Sequence, residues 1–205
     1  MTTPRTLDLS HLKPYSISNK APLWWGQFMM CLIEGSMFAI LIAIYFYLRL
    51  SVDMWPPPGT QLPHVTLPTI ALVPLILSAI GSYWASEAAK KNDRAGMLRG
   101  MILNVALAIA FLALRYGEIR TLNFTWATDV HGSIFWAILF LHTLDAVGDI
   151  LYTMMLICII AGGRYGEKQR LGVHADSVVW YFIIAIWIPL YILIYWGPRM
   201  VGAPS

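Results

Sequence analysis

The chain has 205 residues, of which 58% are hydrophobic and only 12% charged, with a net charge of +3 and a mean hydropathy of +0.63. Soluble domains carry about 25% charged residues, so this chain lacks the polar surface of a water-soluble protein and falls in the membrane class. The modest charge leaves no nucleic-acid footprint. The two cysteines, Cys31 and Cys158, lie far apart in apolar runs; they form no paired-Cys metal or redox motif and read as small buried hydrophobes.

Residues 1–21 form a polar tail with Pro4 and Pro14 and without the short apolar core and cleavage site of a signal peptide. Five apolar runs follow, at roughly 24–50, 67–86, 97–117, 132–162 and 175–197. Each reaches the ~20 residues that a membrane-crossing helix needs. The expected fold is all-α, a polytopic bundle of five transmembrane helices over 22–199 with a short tail at 200–205. No internal repeat or pair of broken helices marks a secondary transporter.

The positive charges orient the bundle. Ten of the fourteen Lys and Arg precede the first span, lie between or beside the second and third, or separate the fourth and fifth. Those segments share one side, so the N-terminus is expected in the cytoplasm and the C-terminus outside. Trp24, Trp25, Trp55 and Trp196 fall near span ends and read as lipid or interface anchors, as does Trp126. The Trp55-Pro56-Pro57-Pro58-Gly59 stretch reads as a stiff outer turn, since proline fixes the backbone and removes a donor.

The acidic groups expected at membrane depth are Glu34, Asp145 and Asp149, with Glu118 at the outer end of the third span. An ionised group at that depth is costly and by default marks a function. Glu34 lies mid-span, where the neutral acid is cheaper than the anion and still donates a hydrogen bond. It has three readings: a packed acid, a proton carrier, or a contact for a partner or lipid. On the fourth helix His142, Asp145 and Asp149 sit at i, i+3 and i+7, on one face, with Gly148 beside them to permit close helix approach. That stripe reads as interhelical hydrogen bonding with His142 paired to Asp145, or as a proton relay. A metal site needs three or four ligands, and the stripe supplies two. Glu118 follows Arg115 at one helical spacing, which suits a local ion pair. Only His142 of the five histidines lies clearly inside a span; His11, His64, His131 and His174 fall in the tail or near span ends. A haem and copper centre needs more imidazoles than that.

In order along the chain, these residues resemble subunit III of the haem–copper respiratory oxidases, from about Pro22 to Gly197. Glu34 in Ile33-Glu34-Gly35-Ser36-Met37-Phe38 resembles the family's membrane-buried acid. The Trp55–Gly59 turn resembles the outer loop of bacterial members. Leu77-Ser78, Trp84-Ala85, Asn92-Asp93-Arg94 and Leu98-Arg99-Gly100 fit, as does Glu118. Gly132-Ser133-Ile134-Phe135, His142 and Gly148 follow the fourth-helix pattern, and Trp180, Trp187, Tyr195 and Trp196 the last helix. The chain departs where the family commonly has His-Gly-Leu-His, here His142-Thr143-Leu144-Asp145. It departs again at Tyr181, Phe182 and Ile184 for the family's His-Phe and Asp, and at Ser86 and Glu87 for paired histidines.

The resemblance implies a divergent, short five-helix bacterial form of the subunit in the inner (cytoplasmic) membrane. It implies a non-catalytic chain that packs on subunit I, works beside subunit II, binds phospholipid and supports proton uptake. No cofactor is expected in this chain; haem and copper are expected in subunit I. The proton-handling or polar-network candidates are Glu34, Glu118, His142, Asp145 and Asp149, with no catalytic residue and no metal ligand. The alternatives are an accessory subunit of a nitric oxide reductase-like complex, or a stand-alone proton- or ion-coupled carrier using Glu34, His142 and Asp145.

Overall fold

The computed structural model describes residues 21–200, so the expected N-terminal tail up to residue 20 and residues 201–205 lie outside the described residues. Five long helices fill the described chain, and among these residues there is no strand. They are α1 (Pro22–Leu50), α2 (Thr66–Lys90), α3 (Arg94–Thr121), α4 (Val130–Ala161) and α5 (Glu167–Tyr191). Helix α5 runs on through a π-helical stretch, Ile192–Trp196, into a last turn, Gly197–Met200. All five are long and apolar enough to cross a membrane.

The helix starts follow local chemistry. Proline opens α1 at its first position, where its missing N–H costs nothing. Asp93 and Asp129 cap α3 and α4 by accepting from the backbone N–H of Gly96 (3.0 Å) and Gly132 (2.6 Å). Between α2 and α3 the chain turns within three residues, with Asn92 at φ +59°, a left-handed position that Asn tolerates. Helix α5 begins eight residues before the expected 175, because the polar run from Glu167 to His174 is already helical.

Up–down alternation gives the bundle two faces. At one, here called the near face, lie the start of α1, the α2–α3 turn and the α4–α5 turn. Two arginines tie this face together by capping helix C-termini: Arg94 donates to the carbonyl of Ile160 (2.7 Å), and Arg170 donates to that of Ala89 (2.7 Å). At the far face Thr60 bonds Asp129, Asn123 donates to Gln61 (2.7 Å), and Arg199 donates to the Pro63 carbonyl (2.6 Å).

Helix α5 is the most buried of the five and α1 the least. Trp180 and Trp187 of α5 are fully buried, and Trp180 donates to the Ser78 hydroxyl of α2 (2.8 Å). The closest helix pair is α2–α3. A Cβ placed on Gly100 would lie 2.5 Å from the Ala85 nitrogen, and one on Gly81 would lie 2.6 Å from the Asn104 nitrogen. Small residues of this kind let two backbones touch inside a membrane.

Three expectations are corrected. Trp55 is not an interface anchor: it is buried, and it donates to the Tyr45 hydroxyl (3.0 Å) because the proline turn folds it inward over α1. Cys158 is exposed on the outer surface of α4 and is not a buried hydrophobe, whereas Cys31 is buried. Gly148 admits no neighbouring helix, since nothing lies within 4 Å of a Cβ built there. Of the other anchors, Trp25 and Trp196 are exposed and Trp24 is half-buried, stacked on Phe28.

Replacing Gly100 by valine is expected to drive α2 and α3 apart at a cost of ~3 kcal/mol. The check is size-exclusion chromatography in mild detergent, where the variant should lose its monodisperse peak. The exposed Gly26→Val control, with nothing within 4 Å, should keep its peak.

Candidate functional site

Two polar features lie inside the bundle, and they are separate. The first is a cleft of about 340 Å³ between α1, α4 and α5. Gln27 and Glu34 of α1, together with Asp145, Gly148, Asp149 and Tyr152 of α4, give it a polar wall. Glu34 lies twelve residues past Pro22 and Asp149 twelve before Ala161. At ~1.5 Å rise per residue both sit about 18 Å from the near face, in the middle of a ~30 Å hydrocarbon core. The bare Gly148 leaves the cleft open beside them.

Glu34 and Asp145 are half-buried and Asp149 is buried, and each has one carboxylate oxygen without a hydrogen-bond partner: Glu34 Oε2, Asp145 Oδ2 and Asp149 Oδ2. Behind Asp149, Thr153 donates to Asp176 Oδ2 of α5 (3.0 Å) and also lies 3.1 Å from the Asp149 carbonyl. Its one hydroxyl hydrogen serves two acceptors. Asp176 is buried and its Oδ1 is likewise unpartnered. This residue completes the acidic group and escaped the sequence reading, although it lies just inside the expected fifth span. Its link to Thr153, 23 residues away on another helix, carries no sequence signal.

The second feature is a buried ion pair on α3. Arg115 Nη1 donates to Glu118 Oε2 at 2.9 Å, with both side chains almost completely buried. The pairing expected from the one-turn spacing is present. The guanidinium lies 4.0 Å over the Trp187 ring and 5.1 Å from that of Phe111, cation–π contacts of roughly 1–2 kcal/mol when desolvated.

His142 belongs to this second feature. The expected His142–Asp145 pair does not form. His142 Nε2 lies 3.0 Å from the Ile183 carbonyl of α5 and therefore donates, because a carbonyl only accepts. Its ring lies 4.3 Å from Trp187, with Phe38 and Phe111 around it. One helical turn on, Asp145 lines the cleft instead, so the stripe of sequence parts into two environments.

His131 lies at a span end, as expected, but inside the packing. It is fully buried at the second position of α4 and ringed by Trp55, Phe124 and Phe135, with neither nitrogen partnered. The folded-in proline turn covers it. Near the other face Ser86 bonds His174 Nδ1 at 2.7 Å, so α5 supplies an imidazole where α2 carries serine. A larger hollow of about 730 Å³ lies at the far face among Arg49, Trp55, the three prolines and Pro198, but no unpartnered buried polar atom lines it. Among the described residues no three His, Cys, Asp or Glu side chains gather as a metal-binding group.

The family model for cytochrome c oxidase subunit III matches residues 12–198. The chain belongs to this family. Among its relatives, cytochrome c oxidase subunit 3 of Thermostichus vulcanus is 30% identical over 171 residues, covering 83% of this chain and 85% of the relative. The subunit 3 of Synechocystis sp. is 28% identical over 172 residues, covering 83% and 74%. That of Candida glabrata is 27% identical over 197 residues, covering 92% and 72%. Within this subunit III frame, Glu34 and Asp145 flank the cleft, while Glu118 and His142 lie in the aromatic core.

Substituting Arg115 by methionine is expected to cost ~3–5 kcal/mol, because Glu118 is left buried and alone. The double variant Arg115→Met/Glu118→Met should recover most of that loss. Thermal unfolding in detergent, followed by tryptophan fluorescence, reads both. Asp145→Asn should leave the unfolding temperature near wild type, since no His142 bond is there to lose.

Proposed function

We propose that this chain is the non-catalytic subunit III of a haem–copper terminal oxidase in a bacterial cytoplasmic membrane. The observation that carries the reading is the match to cytochrome c oxidase subunit III over 12–198, on a bundle of five membrane-length helices. The chain packs on subunit I, beside subunit II, and binds membrane phospholipid. Oxygen is reduced at haem and copper in subunit I. This chain supplies rigid helices, an apolar outer surface and carboxylates at membrane depth that support proton uptake.

The positive charges favour the near face as the cytoplasmic one. Lys90, Lys91, Arg94, Arg99, Arg164, Lys168 and Arg170 all belong to its turns or to the adjoining helix ends. On that reading the start of α1 lies inside and the end of α5 outside. Trp25 at the near end of α1 and Trp196 at the far end of α5 then lie at opposite interfaces.

Isolation from native membranes in mild detergent tests the assignment. A reduced-minus-oxidised spectrum of the purified complex is expected to show haem in constant ratio to this chain, and a haem-free complex would sink the assignment. Glu34→Gln should co-purify with the same haem content, because Glu34 Oε2 has no bond to lose and glutamine keeps the shape.

A further inference from the structure

Helix α2 carries a buried serine at about every turn, Ser78, Ser82 and Ser86. The first and last of them both bond α5, in opposite senses. Ser78 donates to the Leu75 carbonyl of its own helix (2.5 Å) and accepts from Trp180. Its hydrogen is spent within α2, and the indole N–H is a donor only. Ser86 has one hydrogen-bond partner among the described residues, His174 Nδ1 at 2.7 Å. A buried hydroxyl hydrogen needs an acceptor, and this ring nitrogen is the acceptor on offer. Ser86 therefore donates, and the neutral ring carries its hydrogen on Nε2. A ring protonated at both nitrogens has no acceptor left. Ser86 must then accept from Nδ1–H, and its own hydrogen is stranded in a site only 5% exposed.

The surroundings let His174 titrate. The ring is half-buried two turns into α5, close to the near face. The charged groups that act on it are Lys90 and Glu87 of α2, which pair with each other at 2.5 Å; among the described residues no charged group of α1, α3 or α4 acts on it. That pair is partly exposed, and exposed pairs are weak, so an imidazolium competes with Lys90 for the Glu87 carboxylate. Arg170, one turn earlier on α5, is spent on the carbonyls of Ala89 and Lys90. The end of α2 is thus tied to α5 at two levels, by a guanidinium whose charge is fixed and by an imidazole whose charge is not.

We propose that Ser86 and His174 form an acid-sensitive clasp that fastens the last turns of α2 to α5 at the near face and loosens when the ring gains a proton. The proton comes from water, and the one bond that forms is Nδ1–H. Two changes accompany it: the Ser86 hydrogen loses its acceptor, and Glu87 is drawn from Lys90 toward the ring. Arg170 keeps its carbonyls, so the opening is confined to the end of α2 while the bundle holds. A protonated histidine that repacks an interface in this way is a local charge event with a structural readout.

Hydrogen exchange read by mass spectrometry on the intact, detergent-purified protein with its native partners tests the clasp. The comparison runs from about pH 7.5 to about pH 5.5, where an imidazole titrates and an ordinary carboxylate does not, with the intrinsic pH dependence of exchange divided out. Amides over 84–90 should lose protection by about 10-fold at the acid end, the scale of one stranded buried donor. His174→Asn keeps an acceptor for Ser86 and cannot titrate, so its corrected exchange should stay flat. Ser86→Ala removes the donor, so its protection should start lower and no longer respond to acid. Wild-type exchange over 84–90 that is the same at both ends of the range overturns the clasp. A full acid response in His174→Asn also overturns it, by handing the effect to another titrating group. If His174→Asn does not assemble, Ser86→Ala decides: a lost response supports the clasp, and a response of wild-type size overturns it.

Discussion

Hydrocarbon offers a stray polar atom nothing to bond, and the bundle is organised around that deficit. Its most hydrophilic side chains are drawn to α5 or to the faces it shares with its neighbours. Arg115 spreads its charge over the Trp187 ring, His142 uses an α5 carbonyl, and Ser78 accepts from Trp180. Helix α5 therefore acts as a polar host disguised as an apolar span. Helix α1, which contributes little to this exchange, is left the most exposed of the five and can form one wall of an open cleft.

Two polar environments separated by one helical turn follow from this arrangement. His142 and Asp145 differ by about 60° around α4, and their neighbours turn one into the aromatic core and the other into the cleft. The core side satisfies its charge internally, through Arg115 and Glu118. On the cleft side stand carboxylates and no cation, with buried oxygens that no group of this chain bonds. A subunit that works inside a larger complex is free to keep such an unfinished surface.

Much of this was legible in the sequence, and the failures share a cause. Helix existence, count and most boundaries follow from hydropathy, which is local. The Arg115–Glu118 pair was legible because both members lie on one helix. The early start of α5 was missed because Glu167–His174 is too polar to register as a span, yet Arg170 uses that extra turn to reach α2. Trp55 was misplaced because a proline-rich loop reads as exposed unless one knows that it folds back on Tyr45. Asp176 joined the acidic group only through Thr153. The start of α5 apart, these misses concern contacts between distant segments, and a hydrophobicity pattern carries no information about those.

The far-face clasp constrains how the molecule comes to be. Arg199, at the end of the fifth span, grips the Pro63 carbonyl between the first and second spans, and Tyr191 bonds Thr69 of α2 at 2.6 Å. Early and late segments close the same lid, so the loop after α1 gains these bonds only once the end of α5 is in place. Synthesis order thus constrains assembly order: the far face closes only after the fifth span has been made, because Arg199 and Tyr191 supply its latch.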